Sequence, residues 1–92
     1  MIVNFYATLR QIVGSRQVEF PLPPGSTLRQ LIGEIVRQFP ALRVEMLDPQ
    51  GNLYRHIHIF VNGRDSSLVV AGLDTILEPK DTISIFPPVG GG

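Results

Sequence analysis

The chain has 92 residues, the length of one domain, and its 43% hydrophobic and 17% charged content excludes disorder over most of that length. Eight basic and eight acidic residues cancel, so the basic excess of a generic phosphate-backbone binder is missing and no nucleic-acid partner is expected. The absence of cysteine excludes disulfides, thiolate catalysis, cysteine metal sites and any thioester formed on this chain. A chain this short buries only about 60–65% of the surface it exposes when unfolded, which leaves one thin core and no room for a deep catalytic cleft. No apolar run approaches the roughly 20 residues of a membrane span. The first residues begin a strand pattern rather than a charged leader and an apolar stretch, so the expected location is the cytoplasm, with no membrane partner.

Residues 2–8 alternate, with Val3, Phe5 and Ala7 on one side and Asn4, Tyr6 and Thr8 on the other, as in a half-buried strand. Leu9 to Val13 predicts a short helical turn closed by Gly14. Residues 16–22 alternate again, with Val18, Phe20 and Leu22 sharing a face, until Pro21, Pro23, Pro24 and Gly25 end the strand. Thr27 and Gln30 have capping-box spacing. Leu28, Leu31, Ile32, Ile35, Val36 and Phe39 then form one apolar stripe on a helix of about three turns, which Pro40 stops.

Residues 41–47 suit a short second helix, ended by the turn signal Asp48-Pro49-Gln50-Gly51. Tyr54 to Val61 alternates, Ile57, Ile59 and Val61 against His56, His58 and Phe60, and Asn62-Gly63 is a type I′ hairpin signal. A short strand is expected over residues 66–70, turns over 72–79, and a final strand over 82–86 with Ile83 and Ile85 buried. One long helix among short strands gives an α+β domain, a mixed sheet covered on one face. The first and last strands are both short and apolar, suited to lie parallel at its centre in the β-grasp arrangement. A ferredoxin-like split fold would need a second long helix at the end.

The last six residues, Pro87-Pro88-Val89-Gly90-Gly91-Gly92, form a tail beyond a domain at 1–86 and are expected to pack against nothing. Prolines hold an exit extended, and glycines let the last atoms pass a narrow slot in a partner. The only reactive group there is the Gly92 carboxylate, a poor electrophile until activated, typically as an acyl-adenylate. A disordered end with no role explains the same residues equally well.

The whole chain resembles the MoaD/ThiS family of ubiquitin-like sulfur carriers. Phe5-Tyr6-Ala7-Thr8-Leu9-Arg10 with Val13-Gly14 looks like the family's first strand and short helix. The capped helix after Pro24-Gly25-Ser26-Thr27-Leu28, the Val61-Asn62-Gly63 hairpin segment, the Leu73-Asp74-Thr75 turn and the Phe86-to-Gly92 ending are similar in place and pattern. The resemblance implies a β-grasp fold. It also implies that Gly92 is adenylated by a ubiquitin-activating-like adenylyltransferase using ATP and magnesium, then converted to a thiocarboxylate by a persulfide sulfur donor.

It further implies an acceptor enzyme, such as the molybdopterin synthase large subunit. The chain would itself be no enzyme, only the non-catalytic, sulfur-donating small subunit, with no stably bound cofactor. Molybdenum cofactor synthesis is the commonest pathway of the family. The alternatives are cysteine or homocysteine biosynthesis, ubiquitin-like protein modification and a non-covalent interaction module. Phe60 and Phe86 are the expected docking residues, each out of phase with the core set of its strand. Packing under a loop explains them as well.

Three departures stand out. Pro79-Lys80-Asp81 replaces a common Asp-Gly-Asp, putting Lys80, the only lysine, where glycine would ease a positive φ. Gly90 stands where serine or alanine often precedes the diglycine. Residues 43–56 are longer than in compact molybdopterin synthase small subunits, and Met46-Leu47-Asp48-Pro49 with Leu53-Tyr54-Arg55-His56 is more similar to cysteine-type carriers and archaeal ubiquitin-like modifiers. His56 and His58, two apart on the expected strand, share a face but have no further ligand at local spacing, so no metal site is expected. Asp74, Glu78 and Asp81 suit turn and capping roles.

Overall fold

The structure, a computed structural model, describes residues 1–88. Two apolar strands from opposite ends of the sequence lie side by side in it. β1 (Ile2–Phe5) and β5 (Thr82–Phe86) pair in parallel, with Val3 opposite Ile83 and Phe5 opposite Ile85. β2 (Gln17–Glu19) adds antiparallel to the free side of β1. β3 (His58–Val61) adds antiparallel to the free side of β5, and β4 (Arg64–Asp65) extends the sheet beyond β3. The order is β2-β1-β5-β3-β4. The helices are α1 (Ala7–Val13), α2 (Leu28–Gln38) and α3 (Ala41–Met46), with 3-10 turns at Ser66–Leu68 and Gly72–Asp74. This mixed sheet, with one main helix on one face, is the β-grasp fold.

The main helix starts where the sequence places it. The Thr27 hydroxyl accepts from the Gln30 amide at 3.2 Å, and the Gln30 side chain accepts from the Thr27 amide at 2.8 Å. These reciprocal bonds satisfy two donors that the first helical turn leaves open. Leu28, Leu31, Ile32, Ile35 and Val36 are buried in one core with Val3, Phe5, Ile59, Ile83 and Ile85. Phe39, at the helix end, meets Phe5 and Phe20 edge-on with ring centroids 6.4 and 6.5 Å away. On the polar face, hydrogen bonds from Arg37 and then Gln38 hold the Glu34 carboxyl down at about 2.

Several boundaries differ from expectation. The first strand ends at Phe5 rather than Thr8, because Ala7 takes φ 52° and turns the chain into α1. Ala7 is therefore exposed, outside the buried set. α1 then closes on Gly14, whose amide donates to the Arg10 carbonyl at 2.8 Å. The Tyr54–Val61 strand is only His58–Val61, its first half forming a turn. Residues 66–70 are not a strand: the Asp65 carboxylate accepts from the Ser67 amide and caps a 3-10 turn instead. Lys80 does not adopt a positive φ, so its turn needs no glycine. Pro87 is buried, so the compact body extends one residue past β5, and the expectation that the tail packs against nothing fails there.

One polar network ties the hairpin to the last strand. Asn62 and Gly63 take φ of 51° and 84°, the double positive turn that the sequence signalled. The Asn62 side chain donates to the Asp81 carboxylate at 2.8 Å and accepts from the Thr82 amide at 2.9 Å. Asp81 is buried, and its second oxygen accepts from the Glu78 amide at 2.7 Å. Asp81→Ala leaves these donors unpaired and is expected to destabilise the fold by about 2 kcal/mol in urea denaturation. A loss below about 0.5 kcal/mol would show that water replaces the carboxylate without penalty.

Candidate functional site

Strand alternation that sends Val3, Phe5, Ile59, Ile83 and Ile85 towards the helices sends Asn4, Phe60, Ser84 and Phe86 to the opposite face. The register places Asn4, Ser84 and Phe60 in one row, and His58 opposite Phe86. Phe60 and Phe86 meet edge to face, centroids 5.4 Å apart. Both are half-buried on the open face rather than closed under a loop. Tyr6 completes the row, lying flat on Phe86 at 4.2 Å and 12°. The Arg10 guanidinium carbon stands 5.6 Å from the Tyr6 ring centroid, while its Nε donates to the Phe5 carbonyl at 3.1 Å.

Tyr6 and Arg10 are absent from the sequence-based site. The signal for Tyr6 is the one used for Phe60 and Phe86: it is out of phase with Val3 and Phe5. Arg10 carried no such signal, since its place beside Tyr6 depends on the turn at Ala7.

Phe86 is the last residue of the central strand, so the aromatic row surrounds the root of the tail. Pro87 is buried and Pro88 exposed. Val89, Gly90, Gly91 and Gly92 lie outside the described residues. Beside Tyr6, an open polar concavity of about 410 Å³ is lined by Asn4, Arg10, Ser15, Arg16 and Gln17. On the other side, His58 Nδ1 is 3.8 Å from Asp65. Hydrogen bonds from the Ser67 amide and then its hydroxyl, at 2.9 and 2.8 Å, hold the Asp65 carboxyl below its ordinary range, with a smaller pull from His58.

The two histidines are not brought together on one strand. His56 lies in the turn before β3 and stacks on Tyr54 at 5.0 Å, while His58 turns to Asp65. The loop acids also separate: Asp74 pairs with Arg29 at 3.3 Å, Glu78 with Lys80 at 3.6 Å, and Asp81 serves the buried network. Among the described residues no three histidine, aspartate or glutamate side chains gather as metal ligands, and no helix is long and apolar enough to cross a membrane.

A sequence profile of the ThiS family matches residues 3–92. The chain belongs to the ThiS family. Small archaeal modifier protein 1 of Haloferax volcanii is 31% identical over 89 residues, covering 97% of this chain and 97% of that protein. Sulfur carrier protein CysO of Mycobacterium tuberculosis is 31% identical over 70 residues, 74% of each. Among solved structures, the Haloferax volcanii SAMP1 crystal structure superposes with a TM-score of 0.87 at 30% identity, over 99% of this chain and 97% of that one. CysO in the Amycolatopsis orientalis BexX/CysO complex superposes at 0.79 and 26% identity, over 99% and 98%. ThiS-family proteins of this group are small ubiquitin-like carriers and modifiers rather than enzymes, and the Amycolatopsis orientalis CysO is seen in complex with BexX.

The Tyr6–Phe86 stack is expected to show a coupling of about 1 kcal/mol in a double-mutant cycle of Tyr6→Ala and Phe86→Ala. Strict additivity would show that the rings merely touch. Asp65 has a lowered folded pKa, so its contribution to stability is full above about pH 4 and fades as pH falls through the lowered value. Asp65→Asn should flatten that acid limb when urea midpoints are compared between pH 6 and pH 3 (the rough range the carboxyl spans). Parallel limbs for the two proteins would remove Asp65 as the cause.

Proposed function

We propose that this ThiS-family chain is a sulfur carrier acting through Gly92. An adenylating partner that holds ATP and magnesium joins the Gly92 carboxylate to AMP and releases pyrophosphate. The terminal sulfur of a persulfide then attacks the acyl carbon and AMP leaves. A thiol reduces the resulting acyl disulfide, and Gly92 is left as a thiocarboxylate for an acceptor enzyme. The chain needs no cofactor of its own for these steps.

The observation that carries this reading is the aromatic row around the tail root. Phe60, Phe86 and Tyr6 offer a partly exposed apolar patch where the tail departs from the most strongly paired strand. A partner seated on that patch receives Pro88, Val89, Gly90 and Gly91 as a thread without bulky groups at its end. Pro87 stays with the body, one residue fewer in the thread than the sequence suggests. Arg10 and Arg16 at the edge of the patch suit an acidic rim on the partner.

Molybdopterin synthesis, the commonest pathway of the family, is the proposed destination of the sulfur. Cysteine synthesis is the second, supported by the CysO relatives. Attachment of Gly92 to protein amines is a separate reading, supported by archaeal modifier relatives that match along nearly the whole chain.

Intact-mass analysis of protein from its own cells is expected to find one oxygen replaced by sulfur at Gly92. With the adenylating partner, ATP–pyrophosphate exchange should vanish when Gly91 and Gly92 are removed, with the melting temperature unchanged. Phe60→Asp should weaken the same exchange about tenfold through affinity. Full exchange by the truncated protein would end the carrier reading. Full exchange by Phe60→Asp would move docking away from the aromatic row.

A further inference from the structure

Residues 1–20 hold Arg10, Arg16 and a single acid, Glu19, which is taken by the Met1 amine at 3.3 Å. Neither arginine is paired with a carboxylate among the described residues. Both line the open concavity of about 410 Å³ beside Tyr6, and no acidic side chain of the described residues lines it with them. Asn4 and Gln17, opposite each other in the sheet, add two side-chain amides. Both arginines are tied to Phe5: its carbonyl accepts from Arg10 Nε at 3.1 Å, and its amide donates to the Arg16 carbonyl at 2.9 Å. With Nε spent on Phe5 and the guanidinium set beside the Tyr6 ring, Arg10 keeps its two terminal nitrogens for a ligand. The Ser15 hydroxyl donates to the Gln17 carbonyl at 2.8 Å and fixes the turn that carries Arg16. Two guanidiniums so placed, with no counter-ion, suit a carboxylate, which each can meet with charge-assisted hydrogen bonds.

The anion within reach is the chain's own. Burial alternates through Ile83, Ile85 and Pro87, so the strand's alternation runs on past its end, with exposed Pro88 in phase with Phe86. Phe86 lies on Tyr6, and Tyr6 is itself a wall of the concavity. Two strand spacings, about 10 Å, separate β5 from β2 across the sheet. The four residues after Pro88 span up to about 14 Å when extended. Three of them are glycines, which can double back at no steric cost. Such a short tether sets the local concentration of the carboxylate on the order of millimolar, enough to fill a site made of exposed, individually weak ion pairs.

We propose that the Arg10–Arg16 concavity is a binding site for the Gly92 carboxylate of the same chain, filled when no partner is seated. An acidic rim on a partner then displaces Gly92 by exchanging one carboxylate for another. Docking on the aromatic row and release of the tail thereby become one event. The site rests on the proposed function only for the Gly92 carboxylate, and it needs neither adenylation nor sulfur.

The test uses the full chain labelled with nitrogen-15, alone and at low ionic strength. The Gly92 amide is expected to have an order parameter above about 0.6, whereas a free chain end falls below that value. Two alterations should each bring it below about 0.6 while the body stays folded. One is Arg16→Gln, an exposed change; the other is a carboxamide at Gly92, made by ammonia cleavage of an intein fusion. The Arg10 and Arg16 Nε–H signals should also move in the carboxamide. A freely moving Gly92 in the unaltered chain, or an order parameter that either alteration leaves unchanged, would overturn the proposal and leave the concavity to a partner's acid. Docking that rises with protein concentration would overturn it in favour of a second copy's tail. No adenylating partner is present, so each of these results is independent of the ATP–pyrophosphate exchange that judges the carrier reading.

Discussion

The parallel pairing of β1 with β5 is the constraint on which the rest depends. It brings residues from both ends of the sequence to the middle of the sheet and aligns Val3 and Phe5 with Ile83 and Ile85 under the main helix. Every other element is placed relative to that pair. β2 and β3 close its two sides, and α2 covers its apolar face. A one-residue slip of either strand against the other would turn its two core side chains to the open face and bring Asn4 or Ser84 inside, so the register is strongly fixed. The strand that launches the tail is thus among the most firmly held parts of the molecule.

The same alternation divides the labour between the faces. The helix side supplies stability through a closed apolar core. The open side carries Tyr6, Phe60 and Phe86, aromatic yet only half-buried, with arginines at one edge and the His58–Asp65 pair at the other. Aromatic side chains suit such a face because they contribute large contact area while losing little rotamer freedom. The Asn62–Asp81 network lies at the far end of β5, away from this face, and links the hairpin to the strand's beginning. The residues that hold the fold together and the aromatic residues left half-buried on the open face are therefore different residues of the same strand.

Much of this was legible in the residues. The capping box, the apolar stripe, the Asn62-Gly63 turn and the two central strands follow from local chemistry alone. The errors occur where a long-range contact or a local cap outweighs the alternation pattern. Ala7 has no conformational reason to take a positive φ, and alternation continued through it predicts strand; the bend that places Tyr6 on Phe86 is imposed by tertiary structure. Residues 66–70 are apolar enough for a strand, but Asp65 captures the Ser67 amide first. Phe60 and Phe86 emerge from phase arguments within single strands, whereas their contact with each other, and Arg10's place beside Tyr6, needs the sheet order. Pro87 gave no sign of burial, since proline after a strand usually marks an exit.

The central position of β5 has a mechanical side. A force applied to the tail along the strand meets hydrogen bonds to β1 on one flank and to β3 on the other, both lying across the direction of pull. They are loaded together in shear instead of opening one after another like a zip. The stacked Tyr6 ring adds friction at the point of departure. A partner can therefore draw on the tail, align it and hold it taut without unravelling the body behind it. Peeling the last strand from the sheet is the harder route by which such a pull could be relieved.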